Sequence, residues 1–442
     1  MAFLHPSQAK LVRRSFNGPS RIRGAAGTGK TVVGLHRAAY LARSQEKKIL
    51  VTSFVRTLPD VLSNLFVRLA PDAVDRVEFV GVHGFASRLL ASRGISSNVK
   101  SADATLVFNA AWRDHGVGGA LELIDRDQRY WADEISKVIK GRGLTTFDEY
   151  SNLSRTGRRR PLTLDQRRSV WNLFVAYEAG LRALRIHDFD DQILQAEASL
   201  RVLPLEGYGA VVIDEAQDLT CAMVRMLHLL VGDAQDGLTL IGDGQQSIYP
   251  GGFTLTEAGI SIAGRGVVMT TNYRNTREIV EFASEVVAGD QYADIEGGLQ
   301  SRDATTEIAR SGPSPVLLRF ASRHEHDDAL LSQLRTLDCP LGDIGVLSLT
   351  TYGVKDTIRV LEAAGIPAIE LSKYSGLPVA AVKVGTVKRA KGLEFKQVLM
   401  PRVSPAWLEP SAGEDETHAI HRRELYVGMT RARDGLWIGV CS

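Results

Sequence analysis

The sequence predicts an α/β fold: two units, each a parallel β-sheet covered by helices on both faces, with an all-helical insertion in the first. Three observations carry this. Residues 1–95 alternate short runs rich in β-branched residues with amphipathic helical patterns, and that alternation builds parallel sheets flanked by helices. Strand signals vanish over residues 96–200 and resume at Tyr208, so the helical stretch lies inside the first unit. A second alternating run extends from Val316 to Val440. The expected division is 1–95 with 201–275 for the first unit, 96–200 for the insertion and 276–442 for the second unit.

Taken in order, the strands expected in the first unit are residues 48–54, 77–82, 210–213, 238–241 and 266–269. In the insertion the clearest helix covers 166–185, where Val170, Phe174, Tyr177, Leu181 and Leu184 recur at spacings of three and four on one face. In the second unit the expected strands are 316–320, 344–349, 368–371, 382–387, 397–400 and 436–440. The link 289–315, rich in Gly, Ser and Asp, reads as a loop or a flexible insertion. No internal repeat of fixed period is present.

Composition narrows the function classes. Of the 442 residues, 44% are hydrophobic and 24% charged, ordinary values for a globular chain. Lys and Arg number 53 against 51 Asp and Glu, a net charge of +2, so any affinity for a polyanion must come from a local patch. The strongest patch is 155–168, with six arginines against one aspartate, broken by Gly157 and Pro161. Arg158, Arg159 and Arg160 are therefore candidate phosphate contacts, with a solvated loop as the alternative. Cys221, Cys339 and Cys441 are too few and too scattered for a disulfide framework or a zinc site. The first residues lack a secretory pattern, and no run approaches the eighteen or so apolar residues of a membrane span. The expectation is a cytoplasmic protein without membrane contact.

Gly24-Ala25-Ala26-Gly27-Thr28-Gly29-Lys30-Thr31 fits the phosphate-loop pattern at every fixed position. Its glycines let backbone N–H groups converge on phosphates at the start of a helix. Lys30 would reach the β/γ-phosphates of ATP, and Thr31 would hold Mg²⁺. Downstream, the apolar strand Val211-Val212-Ile213 ends in Asp214-Glu215, at a carboxyl end where an α/β sheet meets its ligand. Asp214 would serve Mg²⁺, and Glu215 would orient and deprotonate the attacking water.

These two motifs belong to a longer series. It runs from His5-Pro6-Ser7-Gln8 and the phosphate loop through Val82-His83-Gly84-Phe85, Asp188-Phe189-Asp190-Asp191 and Asp214-Glu215-Ala216-Gln217-Asp218. It continues with Gly242-Asp243-Gly244-Gln245-Gln246-Ser247-Ile248-Tyr249, Asn272-Tyr273-Arg274, Lys391-Gly392-Leu393-Glu394-Phe395 and Tyr426-Val427-Gly428-Met429-Thr430-Arg431-Ala432. The series resembles the UvrD/Rep/PcrA branch of superfamily 1 helicases over nearly the whole chain. The resemblance implies two RecA-like domains with ATP between them and a single nucleic-acid strand across their tops.

Carried over by residue, Gln8 would read the adenine edge, Tyr273 would stack on adenine and Glu394 would hold the ribose. Gln246 would sense the γ-phosphate, and Arg274 and Arg431 would be arginine fingers. On the strand side the resemblance points to Phe54, His83 and Tyr249, since base stacking is indifferent to sequence, with Phe85 assigned to the core. Two motifs depart from the family. After Tyr249 the chain reads Pro250-Gly251-Gly252-Phe253 where an aromatic residue and an arginine are usual, so one stacking platform is missing or displaced to Phe253. Thr386-Val387-Lys388 replaces Thr-x-His, leaving Lys388 as a point charge for phosphate.

The larger relatives carry a second inserted domain between the strands at 368–371 and 382–387. About a dozen residues separate them here, which is loop length. No appended nuclease domain is expected. The expected function is ATP-dependent 3′ to 5′ translocation or unwinding on a single strand, DNA first and RNA second. The alternatives are a motor that recycles a complex without unwinding duplex, or an ATP-gated binding subunit partnered with a nuclease in an antiviral system.

Overall fold

The computed structural model describes residues 4–158, 160–249, 251–288, 292–293, 295–296, 299–300, 306–409 and 416–441. The first sheet comprises β1 (Ser20–Gly24), β2 (Lys48–Ser53), β3 (Val77–Phe79), β4 (Tyr208–Asp214), β5 (Leu238–Gly242) and β6 (Gly266–Met269). Their order is β3-β2-β4-β5-β1-β6, and every pairing is parallel. Val211, Ile213, Leu238 and Leu240 are fully buried. Strands covered on both faces have no solvent side, which is why β4 and β5 read as continuous apolar runs.

Two expectations shift here. The strand expected at 77–82 stops at Phe79, because Val82 opens the helix Val82–Ser92, whose Val82, Phe85, Ala86, Leu89 and Leu90 turn inward. A six-residue apolar run can serve either element. β1 carries no apolar strand signal, since Arg21 and Arg23 flank Ile22, its one large apolar residue. Arg21 is 1% exposed and ion-paired with Glu296 at 2.7 Å.

β7 (Thr271–Thr276) leads out of the first sheet, followed by a two-residue antiparallel pair, β8 (Tyr292–Ala293) and β9 (Leu299–Gln300), and by β10 (Glu307–Arg310), which pairs in parallel with β7. The link 289–315, expected as a loop or a flexible insertion, therefore holds short strands. Residues 289–291, 294, 297–298 and 301–305 lie outside the described residues.

The second sheet is β11 (Val316–Phe320), β12 (Ile344–Ser348), β13 (Ala368–Glu370), β14 (Val382–Thr386), β15 (Phe395–Val403) and β16 (Ala432–Cys441). Its order is β11-β16-β15-β12-β14-β13, again all parallel. Between β13 and β14, residues 371–381 form only a short 3₁₀ turn, Leu371–Lys373, and a loop. The two units share one core: Ile22 and Ile241 of the first sheet and Val33 of the helix Lys30–Ser44 join Val398 and Met400 of the second sheet and Leu425 and Val427 of the helix Glu416–Met429.

The helical stretch has its own core of Phe108, Trp112, Trp131, Ile135, Tyr150, Val170, Leu173 and Tyr177. Its longest helix, Leu164–Leu184, starts in a capping box between Thr163 and Gln166, in which each side chain satisfies the other's backbone N–H. Val170, Tyr177 and Leu181 are buried as the spacing predicts, whereas Leu184 is exposed at the helix end, beyond the reach of the stripe's neighbours. The helix Phe189–Val202 instead contributes Ile193, Ala196 and Leu200 to the core beneath the first sheet.

Candidate nucleotide cleft and strand track

Strand order places the carboxyl ends of β4, β5 and β1 side by side, and the acids, the Gly242-Asp243 turn and the phosphate loop meet there. The helix Lys30–Ser44 begins after Gly29, whose φ of 83° only glycine adopts freely. Gly27 is needed for a second reason: a Cβ there would fall 2.2 Å from Asn272 Oδ1. Thr31 Oγ1 donates to Asp214 Oδ2 at 2.9 Å, and Lys30 Nζ donates to the Gly24 and Ala25 carbonyls at 2.7 and 2.9 Å. Gln8 Nε2 donates to the Thr28 carbonyl at 2.9 Å, while the Tyr273 N–H donates to the Gly27 carbonyl at 3.0 Å. Both adenine-side candidates are thus tied to the loop, and the Tyr273 ring stacks on His5 at 5.1 Å.

The adjacent acids are driven apart. Burial, then the Glu215 charge, raises Asp214 to about 7. Glu215 is also pushed up by burial, but Lys391, Arg431 and Lys30 outweigh that and hold it below its ordinary value. Environments that split two neighbouring carboxyls assign them different tasks. Glu215 also sits at φ 55°, an uncommon conformation for a residue with a Cβ, and accepts from Gln217 Nε2 at 2.7 Å.

The second unit closes the cleft. Arg431 follows the helix Glu416–Met429 and donates through Nη2 to Gln246 Oε1 at 2.7 Å and through Nε to the Val427 carbonyl at 3.1 Å. Gln246 Nε2 in turn donates to Asp243 Oδ2 at 2.7 Å. Burial and the nearby Arg274 lower Arg431 to about 10. Arg274 Nε donates to Glu394 Oε2 at 2.7 Å, and that guanidinium holds the Glu394 carboxyl below the usual range. Lys30 is lowered by burial, with Asp243 and Glu215 opposing and Arg274 and Arg431 adding to the fall. Three cations crowded in this way suit a polyphosphate.

Two connectors have no role assigned from the sequence: Lys391, inside a motif, and Asn275, one residue beyond the Asn272-Tyr273-Arg274 motif. Lys391 Nζ donates to Asp218 Oδ1 at 2.8 Å and to the Gln246 carbonyl, with Lys391 and Asp218 side chains both 0% exposed. Asn275 Nδ2 donates to the Thr430 and Ala432 carbonyls at 2.9 and 2.6 Å. Each fastens one sheet unit to the other. The available signal for Lys391 is an ionisable residue inside a motif whose neighbours already have tasks, and for Asn275 it is no more than adjacency to a motif.

On the strand side, the Phe54 ring meets Tyr249 at 4.9 Å and His83 at 6.0 Å, and His83 meets Phe189 at 5.1 Å. Lys137 Nζ lies 5.5 Å over Phe54. Lys388 Nζ lies 5.7 Å over Tyr249 and pairs with Glu424 at 2.8 Å. A cavity of about 350 Å³ opens among Phe54, His83, Phe108, Lys137, Tyr177 and Phe189. Burial and Lys137 hold His83 down at about 4, a neutral ring. Lys137 and Phe189 were not singled out from the sequence. Phe85 is a core residue, 3% exposed.

Two expectations are corrected. Phe253 is no displaced platform: it is 3% exposed and packs with Leu255, Ala258 and Ile260. Next door, a Cβ on Gly251 would fall 2.9 Å from Lys137 Cβ and one on Gly157 would fall 2.6 Å from the Gly252 nitrogen. The helical insertion thus packs closely against the Gly251-Gly252 segment. Pro250 lies outside the described residues. Arg158 and Arg160 of the arginine run are likewise engaged within the fold. Arg158 donates to Glu134 Oε2 at 2.9 Å and Glu416 Oε1 at 2.8 Å with its side chain 1% exposed. Arg160 Nη1 donates to the Ile124 carbonyl at 2.8 Å, and Arg159 lies outside the described residues. Composition counts charges, and here the answering carboxylates come from distant parts of the chain.

Residues 4–254 match the model of the UvrD/REP helicase N-terminal domain, and residues 358–442 match that of the UvrD-like helicase C-terminal domain. The chain is 25% identical over 404 residues to the ATP-dependent DNA helicase UvrD1 of Mycobacterium tuberculosis, covering 82% of this chain and 49% of that protein. It is 28% identical over 389 residues to UvrD2 of the same species, covering 78% and 51%. A probable DNA helicase of Mycoplasma pneumoniae is 24% identical over 458 residues, covering 96% of this chain and 80% of that protein. The chain thus spans about half the length of the mycobacterial relatives. With matched segments on both sides of a cleft built from the shared motifs, the chain belongs to the UvrD-like helicase family.

Proposed function

We propose that the chain is an ATP-driven motor that moves 3′ to 5′ on single-stranded DNA. The observation that carries this reading is the convergence of Lys30, Glu215 and Gln246 from one sheet unit with Arg431 from the other, joined by the 2.7 Å bond from Arg431 to Gln246. The donor set fits Mg²⁺–ATP: Thr31 and Asp214 offer adjacent oxygens 2.9 Å apart, and three buried or half-buried cations face one another. Thr31 and Asp214 would hold the metal, which supplies charge neutralisation across the phosphates when bound. Glu215, kept ionised by Lys391, Arg431 and Lys30, takes up a proton from the attacking water. Arg431, fixed by Gln246, and Arg274, paired with Glu394, offset negative charge that builds on the transferring group. Gln246 contacts Arg431 and accepts Lys391 at its carbonyl, which gives the cleft a physical path to Tyr249 three residues on.

The strand track is the Phe54, His83, Tyr249 and Phe189 group with Lys137 and Lys388 beside it. A narrower reading, movement along a strand with little unwinding of long duplex, is favoured by the turn-length link 371–381. The test is ATP hydrolysis by the purified chain with single-stranded DNA, RNA and duplex, alongside separation of a duplex bearing a 3′ tail. Hydrolysis stimulated by the single strand with weak separation of long duplex is expected. Hydrolysis indifferent to every nucleic acid would overturn the motor reading.

A further inference from the structure

The arginine loop, freed of its expected phosphate contacts, ends in a connection across the molecule. Glu134 is 0% exposed. It accepts from Arg155 Nε and Nη2 at 2.6 and 2.8 Å, from Tyr150 Oη at 2.8 Å and from Arg158 Nε at 2.9 Å. Arg155 already holds that carboxylate with two bonds. Arg158 lies over the Tyr130 ring at 3.8 Å and turns its Nη1 to Glu416, whose side chain is 4% exposed. Glu416 is thus a second carboxylate for Arg158, supplied from a distant part of the chain. A buried guanidinium deprived of such a partner is strongly disfavoured.

Glu416 is the first residue of the helix Glu416–Met429, which spans about 20 Å and runs directly into Thr430 and Arg431. Along its length Arg422 Nη2 donates to the Val286 carbonyl, Glu424 pairs with Lys388 at 2.8 Å, and Asn275 holds the Thr430 carbonyl at 2.9 Å. One end of this rod is thus seated in the helical insertion and the other in the nucleotide cleft. We propose that Glu134, Arg158 and Glu416 form a latch by which the helical insertion positions the Arg431 helix, so that ATP hydrolysis answers to the placement of the insertion. The inference rests on the proposed function for its consequence and on geometry alone for the latch. Arg158 and Glu416 are positioning residues: neither touches the cleft.

The test uses the full chain. Spin labels at Leu123→Cys, 89% exposed in the insertion, and Tyr352→Cys, 63% exposed in the second unit, are placed in a Cys339→Ser background, Cys221 and Cys441 being buried. Distances between the labels are compared with and without Glu416→Gln, and ATP turnover with single-stranded DNA is followed in unlabelled protein. The latch predicts one narrow distance population that gains a second, longer one in Glu416→Gln. It also predicts a fall in strand-stimulated kcat of about tenfold, the usual scale of a coupling between sites, with KM for ATP within about twofold. Arg158→Lys, which keeps the charge without the fork, is expected to fall between wild type and Glu416→Gln in both readouts, and it decides the matter if Glu416→Gln fails to fold. An unchanged distance distribution overturns the latch. A changed distribution with unchanged kcat overturns its link to Arg431. If the wild-type chain shows no strand-stimulated hydrolysis, the proposed motor fails, and the distance measurement still decides the latch.

Discussion

Two regions of this molecule bury arginines, and the company each keeps separates a reactive site from a structural one. In the arginine loop, Arg155 and Arg158 meet the Glu134 carboxylate, and Arg158 also meets Glu416. In the cleft, Arg431 bonds only neutral groups, the Gln246 amide and the Val427 carbonyl, and no ion pair to it is found among the described residues. The consequence is visible in their acidities: Arg158 is raised once the carboxylates outweigh burial, whereas burial and Arg274 bring Arg431 down to about 10. A cation fully buried between two carboxylates, as Arg158 is, closes a fold. One held by neutral donors and acceptors keeps its charge for something that arrives.

The sharpest way to break this contrast is at the acids of the cleft. Glu215→Gln is expected to abolish turnover while ATP still binds, and Lys30→Ala to weaken ATP binding itself. Equilibrium binding of a fluorescent nucleotide beside steady-state turnover separates the two, and equal losses of affinity would remove the role given to Glu215. The next largest effect lies in the loop. Glu134→Ala strands the buried Arg155 guanidinium, leaves Arg158 with Glu416 alone and should cost about 3–5 kcal/mol, read as a lowered urea midpoint for the helical insertion. An unchanged midpoint would return those arginines to the solvent-facing reading.

The aromatic residues sharpen the same distinction on a smaller scale. Phe253→Ala opens a cavity in the core and should destabilise by about 3–5 kcal/mol, with the bound-strand contacts otherwise kept. Tyr249→Ala should weaken single-strand binding by about 1–3 kcal/mol and leave the unfolding midpoint near wild type. Fluorescence anisotropy with a short oligonucleotide and chemical denaturation together detect any exchange of these roles. The smallest effect expected is none: Arg160→Gln should leave the slope of log affinity against log salt unchanged, because its guanidinium is spent on the Ile124 carbonyl and Asp125. A slope reduced by about one unit would restore a phosphate contact.

The cleft was largely legible in the sequence and the loop was not, for a physical reason. Phosphate-loop chemistry needs fixed residues at fixed short spacing, so Gly24 to Thr31 and Asp214-Glu215 announce themselves locally. Glu134 and Glu416 lie far from Arg158 along the chain, and a local charge count has no access to them. The same limit hid Lys391 with Asp218, a fully buried pair drawn from the two sheet units. β1 gives no apolar run because it reads Ser-Arg-Ile-Arg-Gly, and its buried Arg21 finds its counter-charge at Glu296. The burial of Phe253 is not legible locally, because the sequence shows a missing aromatic but not the core of Leu255, Ala258 and Ile260 that takes Phe253 in. Periodicity served best where burial is one-sided, as along Leu164–Leu184.

The most direct measurement is single-turnover ATP hydrolysis by Arg431→Ala, with ATP affinity determined in parallel. The account predicts hydrolysis slower by roughly 10³-fold, the scale of a lost arginine finger and about 4 kcal/mol of transition-state stabilisation, with affinity changed far less. Near-normal hydrolysis would contradict it, and would place Arg431 with Arg158 among the arginines that only hold the fold together.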